Sequence, residues 1–328
     1  MKNELIVQYE NVIKHGGLFD FSYRGKIEVT GKDRVSFLHR MLTNDIQSLA
    51  PGQGCYACFL TAQAKVITDM NVLIFENHVL ISVEAGFAPK IIERLNKFVV
   101  MDDVNFLDQT NELAAFAIFG NKAEIALASL FPIILLPNRH FSHGPAHLNA
   151  VSIEIVRVPF YGTKGWVLLV PSAQKETMWT LLIEAGKKHS IAPIDTETKE
   201  ILRIEEGIPA CGIDFTEENL LLETGLESRA VSFTKGCYPG QEIVARMDSR
   251  WKFAKKLVRL VLESDSIPKP GDLIEKDGKG IGKITSAAFS PKLKKPIALG
   301  FIARDYFQND QEVEMVSSAQ KVKAHLLL

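Results

Sequence analysis

Apolar residues recur along this chain with two periods, which predict alternating helices and strands up to about residue 250. Spacings of three and four predict an amphipathic helix capped by Asp33 and running to Leu49, with its apolar stripe at Val35, Leu38, Leu42, Ile46 and Leu49. Alternating or continuous apolar runs predict strands at 26–30, 55–60, 66–75, 79–83, 113–119, 152–157 and 166–170. Further helices are predicted at 89–98, 122–130, 173–189 and 197–206. This recurrence indicates an α+β body.

The pattern changes after residue 250. Short strand-like runs separated by prolines and glycines follow at 257–262, 273–275, 280–287, 298–302 and 313–316. The helical period is lost there, which is typical of a small β-barrel or sandwich. We therefore predict an α+β body of two sublobes over residues 1–250 and a C-terminal β-barrel over residues 251–328.

Composition narrows the class of protein. The chain has 328 residues, 46% of them apolar and 23% charged, as in an ordinary globular protein. Its net charge of −1 provides no global field that would attract nucleic acid or membrane. Four cysteines in this length do not make a disulfide framework, and neither a signal peptide nor a membrane span is expected. We expect a cytoplasmic protein that is monomeric or weakly associated.

The run from Lys235 to Glu242 is the most informative segment for chemistry. Its two glycines and one proline predict a tight loop, and a cysteine two residues after a lysine has surroundings that stabilise a thiolate. Cys237 is thus a candidate nucleophile, transient metal ligand or partner in a mixed disulfide. The simpler alternative is a small structural side chain. One thiolate does not make a stable iron–sulfur site, so no resident metal is expected.

A second candidate lies on the predicted helix 197–206. Ile201, Leu202 and Ile204 define an apolar arc, Glu205 falls near its middle, and Arg203 lies opposite. A carboxylate on a core face costs several kcal/mol unless it is paired. The position of Glu205 therefore indicates either an internal salt bridge or a binding site for a ligand with two adjacent N–H donors, such as those of a pterin ring.

Other groups of cysteines, histidines and basic residues are weaker candidates for a functional site. The Cys55 and Cys58 thiols face opposite sides of a strand, and the histidines at 140, 143 and 147 are expected in a solvated loop. A basic run could bind RNA or the polyglutamate tail of folates, although a solvated face is the alternative that the net charge favours. It comprises Arg246, Arg250, Lys252, Lys255, Lys256 and Arg259, interleaved with Trp251 and Phe253.

Several of these segments resemble a known superfamily. The run 202–207 (LRIEEG) resembles the LRxExG segment of the aminomethyltransferase superfamily, and residues 19–22, 31–34, 42–45, 285–286 and 298–301 also resemble it in colinear order. The run 235–242 (KGCYPGQE) resembles the signature of its YgfZ branch, which is linked to iron–sulfur enzymes and tRNA modification. The resemblance implies a three-lobed folate-binding fold with a C-terminal β-barrel.

The resemblance also implies roles for individual residues. Tetrahydrofolate or a one-carbon derivative would be bound with its pterin on Glu205, and Cys237 would act with Lys235 stabilising its thiolate. Asp69 would orient the folate or take a proton, but Thr68 stands where the transferases have a second acid. Tyr238 and Gln241 would contact the cofactor, while Gly236, Gly240 and Glu242 would shape the loop.

The resemblance therefore implies a tetrahydrofolate-binding accessory protein that supports assembly or repair of iron–sulfur clusters in client enzymes, and thereby tRNA modification. Three alternatives stay open at this point. They are an aminomethyltransferase of glycine cleavage, a related folate-dependent demethylase, and a tRNA-binding accessory protein.

Overall fold

The computed structural model describes residues 2–131, 138–148, 151–250, 253–308, 311–316 and 321–327. Its helices are α1 (Lys2–Lys14), α2 (Arg34–Met41), α3 (Ala88–Asn96), α4 (Ala123–Leu130), α5 (Lys175–Lys187), α6 (Thr196–Glu205), α7 (Leu221–Thr224), α8 (Glu227–Ala230) and α9 (Gln241–Arg250). The strands of the body are β1 (Gly17–Asp20), β2 (Gly25–Thr30), β3 (Gln53–Leu60), β4 (Val66–Ile74), β5 (Val79–Val83), β6 (Asn105–Asp108), β7 (Leu113–Phe119), β8 (His143–Leu148), β9 (Val151–Phe160), β10 (Thr163–Pro171) and β11 (Ala192–Pro193). The remaining strands are β12 (Lys255–Leu262), β13 (Leu273–Lys276), β14 (Lys279–Ser290), β15 (Lys295–Ala303), β16 (Glu312–Val316) and β17 (Lys321–Leu327).

The chain divides into two compact units, each made of separate segments. Unit 1 comprises Met1–Phe59, Thr68–Asp195 and Arg229–Pro239, and unit 2 comprises Leu60–Ile67, Thr196–Ser228 and Gly240–Leu328. The division therefore runs through the 235–242 loop. The predicted domain boundary near residue 250 stays a prediction.

Unit 1 is built on two sheets. Over the described residues, one sheet has the six-strand order β11-β1-β7-β10-β9-β8 and the other the five-strand order β3-β4-β5-β2-β6. Helices α4 and α5 cover the first sheet, and their buried side chains form one apolar core with Phe116, Leu168 and Trp166 from its strands. Burial of these large side chains is the main favourable contribution to the folding of this sheet.

Helix α2 is shorter than its apolar stripe predicts. It ends at Met41, and Leu42 is extended with φ −108° and ψ 156°. The next residues form turns, since Asn44 Oδ1 accepts from the main-chain N–H of Asp45 and Asp45 Oδ1 accepts from that of Ser48. Short polar side chains compete for main-chain groups in this way and end helices. The prediction of a helix to Leu49 is therefore wrong, although Leu42, Ile46 and Leu49 are buried as their spacing predicts.

Unit 2 contains the C-terminal barrel. Within the described part of the chain, six strands close in the order β12-β15-β14-β13-β16-β17, with β17 pairing back onto β12. Alternate residues such as Val258, Leu260 and Leu262 point into its core. The predicted C-terminal barrel is confirmed, while its last strand and helices α1 and α9 were not predicted.

Candidate functional site

Asp69 in unit 1 is paired with a tyrosine across a hairpin. Tyr56 on β3 donates its hydroxyl to Asp69 Oδ2 on β4 at 2.7 Å. Burial raises the pKa of Asp69, and burial also raises the pKa of Tyr56 well above its ordinary value. The pair is thus a carboxyl group with weakened acidity and a phenol that stays protonated, which suits proton exchange or the orientation of a polar ligand.

Two arginines extend this pair. The Arg229 guanidinium lies 5.3 Å from the centroid of the Tyr56 ring. Arg24 opposes the rise in the Asp69 pKa through its charge and is itself bonded to Glu84 Oε2 at 2.8 Å. Asn44 Nδ2 donates to the carbonyl of Tyr56 at 2.8 Å. The sequence patterns did not indicate Tyr56 or Arg229 as site residues. Pairing the predicted strands 55–60 and 66–75 as a hairpin would have brought Tyr56 to Asp69.

Thr68 occupies a buried position beside Asp69. It is 0% exposed, and its hydroxyl donates to the carbonyl of Asp69 at 3.0 Å. A second carboxylate at this buried site would carry a large desolvation cost. Thr68 therefore supplies packing and a local hydrogen bond at the position where the resemblance implies a second acid in the transferases.

Lys235 is anchored to the carboxyl end of α2. Its Nζ donates to the main-chain carbonyls of His39, of Leu42 at 2.6 Å and of Asn44 at 3.2 Å. The ammonium also lies 5.3 Å from the centroid of the Tyr238 ring. Burial lowers the pKa of Lys235 to about 8. Its bonds thus satisfy carbonyls that a helix end leaves unpaired, a role that the sequence did not indicate. Its predicted action on the Cys237 thiolate stays a prediction.

Cys237 is exposed at the tip of this anchored loop. Tyr238 beside it is buried, and burial raises the pKa of its phenol to about 12. A methyl group placed on Gly236 would lie 4.0 Å from His39 Nε2, so the imidazole borders the residue next to Cys237. The main-chain N–H of Gln47 donates to His39 Nδ1 at 3.2 Å, and burial lowers the pKa of His39. Asp45 Oδ1 lies 3.3 Å from the same Nδ1.

Glu205 is the last residue of α6 in unit 2. It is half-buried, and its Oε1 accepts a hydrogen bond from Ser290 Oγ on β14 at 2.5 Å. Its main-chain carbonyl accepts from Arg259 Nη1 at 2.6 Å. Its carboxylate is therefore held by the barrel, and a carboxylate in a fixed orientation suits a ligand with two adjacent N–H donors.

Arg203 is a charged residue of α6 that is buried together with its apolar neighbours. It is 4% exposed and bonds Asp214 Oδ2 at 2.5 Å, while Glu200 Oε2 and Ser286 Oγ also accept from it. Arg203 is therefore buried although its spacing places it on the face opposite the apolar arc. The ion pair with Asp214, eleven residues away, allows the guanidinium to be buried.

The second half of the loop lies in unit 2. Gly240 has φ +82°, and a methyl group there would lie 2.7 Å from the Thr61 carbonyl oxygen, so this position needs glycine. Gln241 begins α9, and Glu242 pairs with Arg246 one turn later at 2.8 Å. The predicted contact of Gln241 with a cofactor stays a prediction.

Several side chains of the basic run contact other residues of the protein. Lys256 pairs with Glu227 at 3.0 Å, and Arg259 Nη1 donates to the main-chain carbonyl of Glu205. Lys255 Nζ lies 4.8 Å from the centroid of the Phe301 ring. Arg250 ends α9, and Trp251 and Lys252 lie outside the described residues. The contact with tRNA stays a prediction.

The other sequence candidates are structural. His143 is in β8, 5% exposed, with Nδ1 bonded to Glu154, so its placement in a solvated loop is wrong. All four cysteines are free, and burial raises the pKa of Cys55 to about 12. Among the described residues, no cluster of three histidine, cysteine or acidic side chains fits a metal ion, and none of the helices combines the length and apolarity needed to cross a membrane.

Both parts of the chain match one family. Residues 1–235 match the GCVT N-terminal domain, and residues 255–328 match the glycine cleavage T-protein C-terminal barrel domain. The chain therefore belongs to the GCVT family, the aminomethyltransferase-like proteins that use tetrahydrofolate. The predicted superfamily is confirmed.

Individual relatives agree with this family. An aminomethyltransferase of Caldanaerobacter subterraneus subsp. tengcongensis is 30% identical over 322 residues, covering 98% of this chain and 86% of that protein. An aminomethyltransferase of Desulfitobacterium hafniense is 28% identical over 332 residues, covering 99% and 90%. A chloroplast protein of Arabidopsis thaliana named as a transferase is 31% identical over 286 residues, covering 87% and 65%.

A solved structure shows the same fold. The aminomethyltransferase T of the Bartonella henselae glycine cleavage system has a TM-score of 0.86 and 20% identity, covering 99% of this chain and 88% of that one. The predicted fold class is confirmed. The two bacterial relatives and the protein of this solved structure are named aminomethyltransferase, as in the first alternative, and the assignment to the YgfZ branch stays a prediction.

Proposed function

We propose that this chain binds tetrahydrofolate or a one-carbon derivative of it, with the pterin ring on Glu205. The observation that carries the proposal is the carboxylate of Glu205, which Ser290 orients at the end of α6. A pterin presents an amino group and a ring N–H side by side, and a carboxylate accepts both in a bidentate pair. Membership of the GCVT family supports the same ligand.

In this proposal the Asp69–Tyr56 pair of unit 1 accepts and donates protons. The folate supplies a carrier for a one-carbon unit. Burial keeps the pKa of Asp69 above its ordinary value, so the carboxyl group gains a proton more readily than an exposed one. Tyr56 fixes the orientation of the Asp69 carboxyl group through its hydroxyl.

Replacement of Glu205 by glutamine tests the binding proposal. The amide replaces one acceptor by an N–H group that faces a donor, so a charge-assisted bond of about 2–3 kcal/mol is lost and affinity falls about 30- to 150-fold. Isothermal titration calorimetry with tetrahydrofolate under reducing conditions measures this affinity. Glu206→Gln is the matched control, because Glu206 is the exposed neighbour on the same chain segment and should leave affinity unchanged. Equal affinities of wild type and Glu205→Gln would refute the pterin assignment.

The first candidate use of the folate is aminomethyl transfer. The relatives named aminomethyltransferase favour it, and Asp69 is the acidic residue retained at the position that the resemblance indicates. It predicts release of ammonia from an aminomethylated lipoyl carrier protein in the presence of tetrahydrofolate, and loss of that activity in Asp69→Asn. No ammonia release by a folate-binding wild type would exclude this use.

The second candidate use is support of iron–sulfur enzymes, as the YgfZ resemblance implies. Two observations favour it: Cys237 is exposed on an anchored loop, and Thr68 fills the place of an acid. The test uses a host deleted for this gene and complemented with wild type or Cys237→Ser, with the thiomethylated fraction of tRNA as readout. Loss in the deletion that wild type restores and Cys237→Ser does not is the expected result. Full modification in the deletion would exclude this role.

A further inference from the structure

Two barrel strands hold the residue on which the pterin is proposed to lie. Ser290, the last residue of β14, donates to the carboxylate of Glu205, and Arg259 on β12 donates to its carbonyl. Gly207 follows with φ +66°, and a methyl group there would lie 2.8 Å from Arg259 Cδ. The end of α6 is therefore fixed by contacts to both the main chain and the side chain of Glu205.

The direction of the Ser290 hydroxyl is determined. The main-chain N–H of Leu293 donates to Ser290 Oγ at 3.0 Å, so this oxygen already accepts one hydrogen bond. A carboxylate can only accept, which leaves the Ser290 O–H proton as the donor to Glu205 Oε1. Ser290 is 0% exposed, so its hydroxyl has no contact with bulk water.

We propose that Ser290 is a positioning residue for pterin recognition, which rests on the proposed function of Glu205. Its hydroxyl holds the carboxylate in one rotamer, so that less side-chain freedom is lost when a ligand pairs with it. The C-terminal barrel thereby contributes to folate affinity through a hydroxyl group that does not itself touch the ligand.

The chain offers a matched control on the same strand. Ser286, also buried, donates its hydroxyl to Asp214 Oδ1, a carboxylate paired with Arg203 rather than proposed for a ligand. Ser286→Ala and Ser290→Ala thus remove the same kind of bond from β14. A loss of affinity that only follows from a less stable barrel would occur in both variants.

The experiment compares these variants by calorimetry with two ligands. Ser290→Ala should weaken binding of tetrahydrofolate about tenfold, whereas Ser290→Thr, which retains the hydroxyl, should restore most of it. Binding of para-aminobenzoylglutamate, which has the tail of folate and lacks the pterin, should not change in Ser290→Ala. Ser286→Ala should lower the melting temperature and keep the affinity for tetrahydrofolate.

The outcomes separate this inference from the proposed function. If Glu205→Gln loses affinity while Ser290→Ala keeps it, Glu205 binds the pterin and the role of Ser290 is refuted. If Ser290→Ala and Ser286→Ala lose affinity equally, or if Ser290→Ala loses affinity for both ligands, the effect is structural and the inference is again refuted. If Glu205→Gln itself keeps full affinity, the proposed function fails first.

Discussion

The buried ammonium of Lys26 makes the stability of this protein depend on pH in a way that one substitution can isolate. Lys26 on β2 is 1% exposed, and its Nζ donates to the carbonyls of Ser22 and Arg24, each at 2.9 Å. Burial, together with the charge of Arg24, lowers the pKa of Lys26 from 10.5 to about 8. The folded state therefore holds this proton less tightly than the unfolded state does.

The sign of the effect follows from that difference. Below pH 8 the charged group opposes folding by about 3 kcal/mol, since each pKa unit corresponds to about 1.36 kcal/mol. Between pH 8 and 10 the folded state loses the proton first, and the contribution becomes more favourable by about 2 kcal/mol. Stability due to Lys26 thus rises with pH in this window.

Urea unfolding of wild type and Lys26→Met at pH 7, 8, 9 and 10, with reductant present, measures this effect. The difference between their free energies of unfolding cancels the titration of all other groups. We expect it to move by about 2 kcal/mol in favour of the wild type from pH 8 to 10. A difference that stays constant with pH would show that Lys26 is not held at a lowered pKa.

Three further predictions concern packing and ionisation. Arg203→Met should lower the free energy of unfolding in urea by about 3–5 kcal/mol, because it leaves the buried carboxylate of Asp214 without its opposite charge. Lys97→Met, which breaks the exposed pair with Glu93, should cost less than about 1 kcal/mol. Equal losses in the two variants would contradict the burial of the Arg203–Asp214 pair. Gly240→Ala and Gly225→Ala both place alanine at positive φ, but only Gly240 has main-chain atoms within 3 Å of the new methyl, so it should cost about 1–3 kcal/mol more. Tyr56→Phe removes a bond that stabilises the Asp69 carboxylate and should raise the pKa of Asp69 further, as followed by carboxyl carbon NMR; an unchanged titration would refute the pairing.

Local patterns predicted the elements whose partners lie close in the chain. The apolar runs at 79–83 and 113–119 coincide with β5 and β7, because nearly every residue of these strands is buried and the apolar residues therefore follow one another without interruption. The barrel followed from short strands interrupted by glycine and proline. Helix α2 was overestimated because the apolar stripe continues into turns, where Leu42 and Leu49 remain buried without being helical.

By itself, the sequence determined the α+β body, the barrel, and Glu205 and Cys237 as candidates, since spacing and short motifs are local properties. Asp69 became a candidate only through the resemblance to the aminomethyltransferases. Tertiary structure decided which charges are buried and what they contact. Arg203 lies in the core because Asp214 comes within 2.5 Å, and Lys235 holds the end of α2 from a segment 196 residues away from His39. Such pairings depend on loops that bring distant main-chain and side-chain groups together. The free energy of burying a charge is set by those partners and not by neighbours in the chain.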